Sequence, residues 1–386
     1  YPTGTTIYEP NPCDNGYTLL WSEARPRLID MNGRVVHEWP LDIEMSAGDE
    51  PRAQRAKLRD DGALLLIAGS TASGWRIIAL DWDGKLTWDY RPPGVETHHD
   101  FFVKANGNLL LISREEIPAE IAARVRDMPR RGITLYGDMF LEVTRDEQIV
   151  WTWHQHDHLD INWFNPIPAN RDWWAGADNN TVSDWTHTNT IQALPDNRWF
   201  DAGDARFRPG NVLVSLRQLD TIQIIDPQSD QVVWSYTGDY KGGLSGQHEA
   251  CMIGKDRPGA GNILLFDNGA SPYRDLAHAG CSFVLEIDPS ADEVVWVYED
   301  GERFHSNFTA SCQRLRNGNT LVCETTGARN FEVTPDCRIV WEHVGTPDLR
   351  SYRYPYDHCP QTAALPRPKA QAVRPPKTLT IEPVQS

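Results

Sequence analysis

The sequence predicts an all-β protein, a six-bladed β-propeller built as a single domain with long loops over its top face. Two features that alternate strictly along the chain, six of each, predict this fold. One is a short apolar strand led by glycine, and the other is a strand, a polar turn and a strand that ends on an aromatic residue. Six units of four short strands each are typical of propeller blades.

Each unit shows the local chemistry of hairpins. The glycine-led strands begin at Gly16, Gly62, Gly107, Gly210, Gly261 and Gly318. The paired strands cover residues 28–39, 78–88, 140–151, 224–234, 285–296 and 331–341. Their turns carry Asp-Gly, Asn-Gly or Asp-Pro pairs, and their arms are rich in Val, Ile and Trp. We expect the Trp that ends each unit (His37 in the first) to pack between neighbouring blades, and residues 5–9 to close the ring against the last blade.

Two long inserts interrupt the regular spacing, at residues 113–138 and 153–184, with a short extension at 197–208. The second insert is rich in Trp, Asn, Asp and His, which suits a loop over the top face, where function concentrates. A short surface helix is expected within 118–127. We predict that the propeller covers residues 1–364 and that residues 365–386 form a Pro-rich C-terminal arm or tail.

The charge of the chain limits its partners. With 37 Lys and Arg against 54 Asp and Glu, the net charge is −17, which argues against nucleic acid or an anionic membrane. Small anions stay allowed, because a few Arg and His side chains make a locally positive pocket. No apolar run approaches the roughly 18 residues of a membrane span. The chain begins at Tyr1 and not at Met, which suggests a processed, exported protein, although a trimmed chain would begin in the same way. The sequence does not predict the oligomeric state.

The seven cysteines are an odd number, so at least one is unpaired unless it pairs between chains. Cys312 and Cys323 stand symmetrically about the Asn317-Gly318 turn. We expect them to face each other in a hairpin, either as a disulfide or as two small core residues. The spacing of Cys and His does not match a zinc motif.

Polar residues lead the predicted inner strands, whose leading ends face the mouth of the central channel in a propeller. These residues are His98, His99 and Asp100 in unit three, Asp184, His187 and Asn189 in unit four, Gln247 and His248 in unit five, and His305 in unit six. Alignment to the following turns puts His99 and Asn189 at equivalent places. His248 joins them if the Gly/Pro-rich run before Gly261 extends a turn. Arg217 ends the second strand of unit four, beside His187.

Three interpretations of this hub are open: an anion site, a metal site, and structural hydrogen bonding. Arg217 favours the anion, because a guanidinium offers a rigid fork to a tetrahedral oxyanion. The aspartates at 100, 184 and 220 are expected to orient neighbouring His or Arg side chains. A second cluster, His154, His156 and His158, alternates along a strand and could chelate a metal, although a polar loop over the hub is the preferred interpretation.

Four sequence motifs along the chain, at residues 184–189, 215–220, 245–248 and 261–269, are similar to those of a known family. Together they resemble the bacterial arylsulfate sulfotransferases, which do not use an activated nucleotide sulfate. The resemblance extends from residues 16–20 to 351–355. It implies a six-bladed propeller, export, and a two-step reaction in which a histidine takes a sulfuryl group from an aryl sulfate and passes it to a phenol. By motif, His248 is that nucleophile.

The resemblance also implies roles for the residues around His248. His187, Asn189 and Arg217 would hold and polarise the sulfuryl oxygens, and His99 would be a further active-site histidine. Either His187 or His99 would protonate the departing phenolate and later deprotonate the acceptor. Further substrate-binding candidates are His98, His305, Trp163 and Trp174, of which the last two, with Phe164 and Trp173, would stack on an aryl group or form the core of a loop.

We therefore expect an enzyme that acts on a small aryl sulfate and a phenol or another anionic substrate, without nucleic acid and without a membrane span. No cofactor and no catalytic metal ligand are assigned, which leaves room for a structural metal ion. One alternative is a polysaccharide lyase, or another enzyme that acts on an anionic substrate at the same hub. Another alternative is a propeller that binds a partner without catalysis.

Overall fold

Six antiparallel sheets around one channel are seen in the computed structural model, which describes residues 2–22, 25–43, 50–70, 73–127, 130–164, 182–270 and 280–374. The chain begins with β1 (Gly4–Tyr8), and blade one then contains β2 (Tyr17–Ser22), β3 (Arg25–Ile29) and β4 (Val35–Glu38). Blade two contains β5 (Arg52–Leu58), β6 (Leu64–Ser70), β7 (Gly74–Leu80) and β8 (Leu86–Tyr90). Blade three contains β9 (Glu96–Val103), β10 (Leu109–Glu116), β11 (Thr134–Val143) and β12 (Ile149–His154), with β13 (Val182–Asp184) parallel to β11.

The second half of the chain repeats this pattern. Blade four contains β14 (Thr188–Ala193), β15 (Val212–Leu216), β16 (Thr221–Asp226) and β17 (Gln231–Tyr236). Blade five contains β18 (His248–Met252), β19 (Ile263–Asp267), β20 (Phe283–Asp288) and β21 (Glu293–Tyr298). Blade six contains β22 (Ser311–Arg314), β23 (Thr320–Glu324), β24 (Arg329–Val333) and β25 (Ile339–Val344), and the chain ends with β26 (Ser351–Tyr354). The predicted six-bladed propeller is therefore confirmed.

The ring is closed at both ends of the chain. Strand β1 pairs with β25 on the outer edge of blade six, as expected for residues 5–9. Strand β26 pairs with β2 and supplies the inner strand of blade one, which the sequence pattern did not reveal. Val373, within the predicted C-terminal arm, exchanges backbone hydrogen bonds with Tyr8. The first and last blades thus each contain a strand from the opposite end of the chain.

Indole hydrogen bonds connect each blade to the next. One Trp from the outer strand of every blade donates its Nε1–H to the hairpin turn between the two outer strands of the following blade. The six donor and acceptor pairs are Trp39 to Asp81, Trp88 to Glu147, Trp151 to Asp230, Trp234 to Asp292, Trp296 to Pro335, and Trp341 to Met31. His37 stacks on Trp82 of blade two and contacts its carbonyl oxygen. The expectation that these aromatic residues pack between blades is confirmed.

The apolar core lies between blades, as six clusters of buried side chains, each shared by two neighbouring sheets. Strands such as β6, β15 and β19 are buried along their whole length, because a neighbouring blade covers each face. Their near-continuous apolar sequences follow from that double burial. Rigid packing on both faces fixes the inner strands that carry the polar residues of the channel.

One local expectation, for two cysteines, needs correction. Cys312 lies opposite Val322 and Cys323 opposite Ser311, so the two cysteines do not face each other. The pairing of the two strands is symmetric about Asn317, whereas the expectation placed its centre between Asn317 and Gly318. The helix expected within 118–127 is the single turn α1 (Ala119–Ala122), and β10 and β11 extend into the insert to either side of it. None of the described helices has the length and apolar character that crossing a membrane requires.

Candidate active site

The inner strands of four consecutive blades are bulged at the same end of the channel. The pairing of β5 with β6 skips Gln54, and the pairing of β9 with β10 sets residues 98–100 opposite one residue. The pairing of β14 with β15 skips Asn189, and that of β18 with β19 sets residues 249–250 opposite one residue. Bulges re-aim side chains and are common beside active sites. Here they shape the backbone from which the predicted polar residues project.

Left-handed backbone conformations cluster at the same place. Five residues other than glycine around the channel mouth have positive φ angles, namely His99 (59°), His187 (48°), Asp220 (48°), Glu249 (54°) and Thr309 (49°). Such conformations cost of order 1–3 kcal/mol each and persist where the surroundings over-determine them. This concentration of strain is the kind of outlier that points to a functional site.

A cavity of about 270 Å³ lies at this end of the channel. It brings together four residues that the sequence analysis singled out, His99, His187, Arg217 and His248. They come from blades three, four and five. The side chains of His187, Arg217 and His248 are buried and that of His99 is half-buried, so water competes weakly with a ligand for most of these polar atoms.

The ring of His248 is held in one tautomer. Its Nδ1 lies 3.0 Å from the carbonyl oxygen of Gly246 and 2.7 Å from Oδ1 of Asn268. The amide of Asn268 is oriented by its own Nδ2, which donates to the carbonyl oxygens of Ser306 and Thr309. Both partners of Nδ1 are therefore acceptors, so Nδ1 carries the proton and Nε2 carries the lone pair.

Buried cations keep His248 uncharged. Burial lowers its pKa well below the usual value, and the guanidinium groups of Arg217 and Arg350 lower it further. The hydrogen bond that His248 donates to Asn268 opposes this shift without reversing it. His248 therefore presents an unprotonated nitrogen at neutral pH, which is the form a nucleophile requires.

His187 is oriented by a carboxylate. Its Nδ1 lies 2.5 Å from Oδ2 of Asp184, which confirms the expected pairing of this aspartate with a neighbouring histidine. The carboxylate accepts the Nδ1 proton and leaves Nε2 for a ligand. The ring centroid of His187 lies 4.6 Å from that of His99 at an interplanar angle of 71°.

His99 is the end of a hydrogen-bonded chain of three side chains. Nδ1 of His99 lies 2.7 Å from Nδ1 of His98, and Nε2 of His98 lies 3.0 Å from Oδ1 of Asp138. Burial and the neighbouring His187, His98 and Arg350 lower the pKa of His99 well below its usual value. Burial alone would raise the pKa of Asp138, but His98 and hydrogen bonds lower it to about 2. Asp138 is therefore a carboxylate that can stabilise a positive charge on His98.

Arg350 is a cavity residue that the sequence analysis missed. Its Nη1 donates to Glu249 at 2.5 Å and its Nη2 to the carbonyl oxygen of Asn189 at 2.7 Å. Glu249 also receives two hydrogen bonds from Arg55, at 2.8 and 3.0 Å. With Arg217, the cavity contains two buried guanidinium groups suited to an anion.

The rest of the cavity wall combines apolar surface with one hydroxyl group. Trp75, Phe308 and Leu349 form apolar wall, which suits an aromatic ring. Thr309 also lines the cavity, and its buried Oγ1 makes no hydrogen bond within the described part of the chain. A buried hydroxyl without a partner is costly, so a ligand that pairs with it gains stability.

The sequence pattern of the family described as Arylsulfotransferase (ASST) matches residues 54–346, which is more than half of the chain. The chain belongs to the arylsulfotransferase family. This confirms the resemblance and supports a transferase activity on aryl compounds at the level of the family. Comparison with curated proteins gave no match.

Comparison with solved structures gave several similar chains. A protein of unknown function from Bacteroides caccae has a TM-score of 0.51 at 14% identity, with 88% of this chain and 98% of that chain covered. An inactive virginiamycin B lyase from Staphylococcus aureus with quinupristin has a TM-score of 0.44 at 11% identity, covering 88% and 87%. The Dos1 propeller has a TM-score of 0.40 at 9% identity, covering 91% and 72%.

Three other predicted site residues, Asn189, His98 and His305, are not among the described residues that line the cavity. Asn189 is buried and donates Nδ2 to the carbonyl oxygen of Gln247, 2.7 Å away, next to the nucleophile candidate. His98 lies behind His99, as described above. His305 contacts Ser282 at 3.5 Å, and its backbone N–H donates to Glu324.

The tryptophans of the second insert are only partly described. Trp163 accepts a hydrogen bond from the indole of Trp185 through its carbonyl oxygen, and Phe164 packs beneath Arg130. Both belong to the surroundings of a small apolar cluster under the insert and do not line the cavity among the described residues. Trp173 and Trp174 lie outside the described residues, so their predicted stacking stays a prediction.

Proposed function

We propose that this arylsulfotransferase moves a sulfuryl group from an aryl sulfate to a phenolic acceptor through an intermediate on Nε2 of His248. The observation that carries this proposal is the fixed tautomer of His248, held by Gly246 and Asn268. It aims an unprotonated nitrogen at the cavity, and the buried cations prevent its protonation. A positioned nucleophile splits one difficult substitution into two easier ones.

In the first half-reaction, the Nε2 lone pair of His248 attacks sulfur while the bond between sulfur and the aryl oxygen breaks. The geometry required is in-line, as in phosphoryl transfer, with charge spread over the three equatorial oxygens. Arg217, Arg350 and the hydroxyl of Thr309 are placed to bind these oxygens. Preorganised donors of this kind are worth about 10²–10³ in rate for each one removed.

The departing aryl oxide needs a proton, which we assign to Nε2 of His99. When His98 is doubly protonated, its Nδ1–H donates to Nδ1 of His99, so His99 carries its own proton on Nε2 and is neutral. Transfer of that proton to the aryl oxide draws the Nδ1 proton of His98 onto His99. The positive charge thus resides on His98, beside the carboxylate of Asp138, and never on His99.

The second half-reaction runs the same steps in reverse. The acceptor phenol gives its proton to Nε2 of His99, its oxygen attacks sulfur, and the bond from sulfur to His248 breaks. His99 passes the proton at Nδ1 back to His98, which restores the starting state. His187, oriented by Asp184, is assigned to the sulfuryl oxygens, and Asn189 to holding the main chain before His248.

The test is detection of the covalent intermediate. Intact protein incubated with 4-nitrophenyl sulfate alone is expected to gain the mass of one sulfuryl group, located on His248 by peptide mapping at alkaline pH. His248→Asn is expected to show neither the mass gain nor transfer to a phenol. The matched control is His37→Asn, at the interface of two blades, which keeps both. Transfer without a labelled His248, or release of an unsaturated sugar from an acidic glycan by the unlabelled protein, would overturn the proposal.

Export of the protein is proposed from the family resemblance. Fractionation of cells that produce the full-length protein checks it, since an exported enzyme is expected outside the cytoplasm and a cytoplasmic location would contradict the proposal.

A further inference from the structure

Three potential metal ligands meet at the top of blade three, outside the cavity. Nδ1 of His154 lies 2.9 Å from both carboxylate oxygens of Glu115, and Nδ1 of His156 lies 3.2 Å from Oε1 of the same residue. One ligand atom from each of the three side chains lies within 4.8 Å of the others. The side chains of Glu115 and His156 are 14% and 9% exposed, and that of His154 is 37% exposed, so the group has one open side.

The fold assembles this group from two strands and a helical turn. Glu115 in β10 lies opposite Gly137, and His154 at the end of β12 lies opposite Met139, so the two flank β11. Strand β12 ends at His154, and the single turn α2 (Gln155–His158) brings His156 back toward Glu115. The expectation of three histidines alternating along one strand is therefore wrong. The ring of His158 stacks on Trp153 instead, with centroids 4.4 Å apart.

We propose that Glu115, His154 and His156 bind a divalent transition-metal ion, with Zn²⁺ as the best fit. Two imidazoles and a carboxylate are a common donor set for this ion, with bonds of about 2.0–2.2 Å. Ligands at that distance from a common ion lie roughly 3.0–3.5 Å apart in tetrahedral or octahedral geometry. The observed separations from Glu115, 2.9 and 3.2 Å, already fall close to this range, so binding requires replacement of the shared protons and an approach of the two imidazoles, whose ligand atoms lie within 4.8 Å of each other.

The surroundings of the histidines fit this role. Nε2 of His156 lies 3.7 Å from the carboxylate of Asp157, and ligating histidines usually direct their second nitrogen toward such a group. The open side leaves room for water as a further ligand. An ion here joins the second strand of blade three to the first residues of the top-face insert.

The ion would also stabilise the proton path of the proposed active site. Gln155 lies between the two histidine ligands, and its Oε1 accepts from the backbone N–H of Asp138 at 3.1 Å while its Nε2 donates to Thr188 at 2.9 Å. Fixing residues 154 and 156 fixes Gln155, which holds Asp138 beside His98. This effect on catalysis rests on the proposed function, but metal binding itself does not.

The test measures metal binding directly, without substrate. Protein stripped with a chelator is titrated with Zn²⁺ by calorimetry, and with Co²⁺ by visible absorption. Wild type is expected to bind one equivalent, and Glu115→Gln and His156→Gln are each expected to weaken binding at least about 10-fold. His158→Gln is the matched control, because it removes a neighbouring imidazole that contacts Trp153 and not Glu115.

The outcomes are decisive because they do not depend on sulfuryl transfer. A melting temperature that rises with Zn²⁺ in wild type and His158→Gln, but not in Glu115→Gln, supports the site even if the enzyme proposal fails. Absence of a stoichiometric ion in wild type overturns it. Equal loss of binding in His158→Gln also overturns it. Near-ultraviolet circular dichroism of each stripped variant shows that a loss of binding is not a loss of folding.

Discussion

The side chains around His248 set its protonation state, and this determines how the rate depends on pH. Because its pKa is lowered well below the usual value, His248 stays an active nucleophile at neutral and mildly acidic pH. Protonation removes the lone pair on Nε2, so the acid limb of the first half-reaction should lie below the pH of about 6.5 at which an unperturbed histidine titrates.

Arg217→Gln separates the two effects of this cation. Loss of a donor to the sulfuryl oxygens should lower the rate of the first half-reaction about 10²–10³-fold. Loss of the positive charge should raise the pKa of His248 and move the acid limb to higher pH. Single-turnover rates with 4-nitrophenyl sulfate across pH measure both, with the exposed Arg131→Gln as control. An acid limb that stays in place would contradict the assigned cause of the low pKa.

Asp138→Asn tests the proton path through His98 and His99. Without the carboxylate, His98 loses the partner that stabilises its charged form, so protonation of the leaving group should fail. The rate should drop by about 10²–10⁴ for a sulfate of a weakly acidic phenol. It should drop much less for 4-nitrophenyl sulfate, whose leaving group needs little assistance. A general structural defect would lower both rates equally, and that result would contradict the relay.

At the scale of the strand, the bulges explain what the sequence could and could not predict. The six-fold repeat placed His99, His187 and His248 at the leading ends of inner strands, and their convergence follows from the propeller itself. The extra residue of a bulge shifts the alternation of side chains by one position, but inner strands such as β14 and β18 are buried on both faces and show little alternation, so the shift leaves no clear signal. The alignment of strand ends therefore predicted that Asn189 lies at the cavity wall. In the structure, its side chain instead donates a hydrogen bond to the carbonyl oxygen of Gln247.

The sequence analysis did not identify three residues of the site, for a different physical reason. Arg350 precedes β26, which reaches blade one only because the chain closes on itself, and that pairing spans more than 300 residues in sequence. Thr309 lies in an irregular segment just before β22, and Asp138 lies in the part of β11 that the sequence analysis assigned to the first insert, so neither position carried a strand signal. The one available signal was the stretch 351–355 in the family resemblance, which is adjacent to Arg350.

The inner strands are tied together by the buried carboxylate of Glu249 in β18. Arg55 from β5 and Arg350 both pair with it, and its side chain is 6% exposed. Burial alone would raise the pKa of Glu249, but these two cations hold it well below the usual value. Such a carboxylate contributes stability above the pKa of the unfolded chain, and this contribution is lost as the pH falls below about 4.

Glu249→Gln should therefore lower the free energy of unfolding by about 3–5 kcal/mol at pH 7, because it removes the carboxylate partner of the buried Arg350 and leaves Arg55 with Asp100 alone. Glu9→Gln is the matched control, since the Glu9–Arg338 pair lies at 2.7 Å but is largely exposed, and its loss should cost at most about 1 kcal/mol. Urea denaturation measures both. Equal losses in the two variants would contradict the role of the buried network.

At the scale of the whole molecule, ring closure depends on a close approach of two distant backbones. A Cβ atom added to Gly16 would lie 2.1 Å from the carbonyl oxygen of Tyr354 in β26, well inside van der Waals contact. Because the other atom belongs to the backbone, relief requires β26 to move away from β2. The same displacement would shift Arg350, the residue before β26, from the cavity.

Gly16→Ala should therefore destabilise the protein by about 1–3 kcal/mol, the usual cost of overpacking, and lower transfer activity even in the folded fraction. Gly345→Ala is the control, because its added Cβ would lie 3.6 Å from the nearest atom, Nε2 of His343, which is ordinary contact. Urea denaturation and rates per folded molecule measure the two effects. A Gly16→Ala protein as stable and active as Gly345→Ala would mean that β26 does not need its pairing with β2 to hold Arg350 in the site.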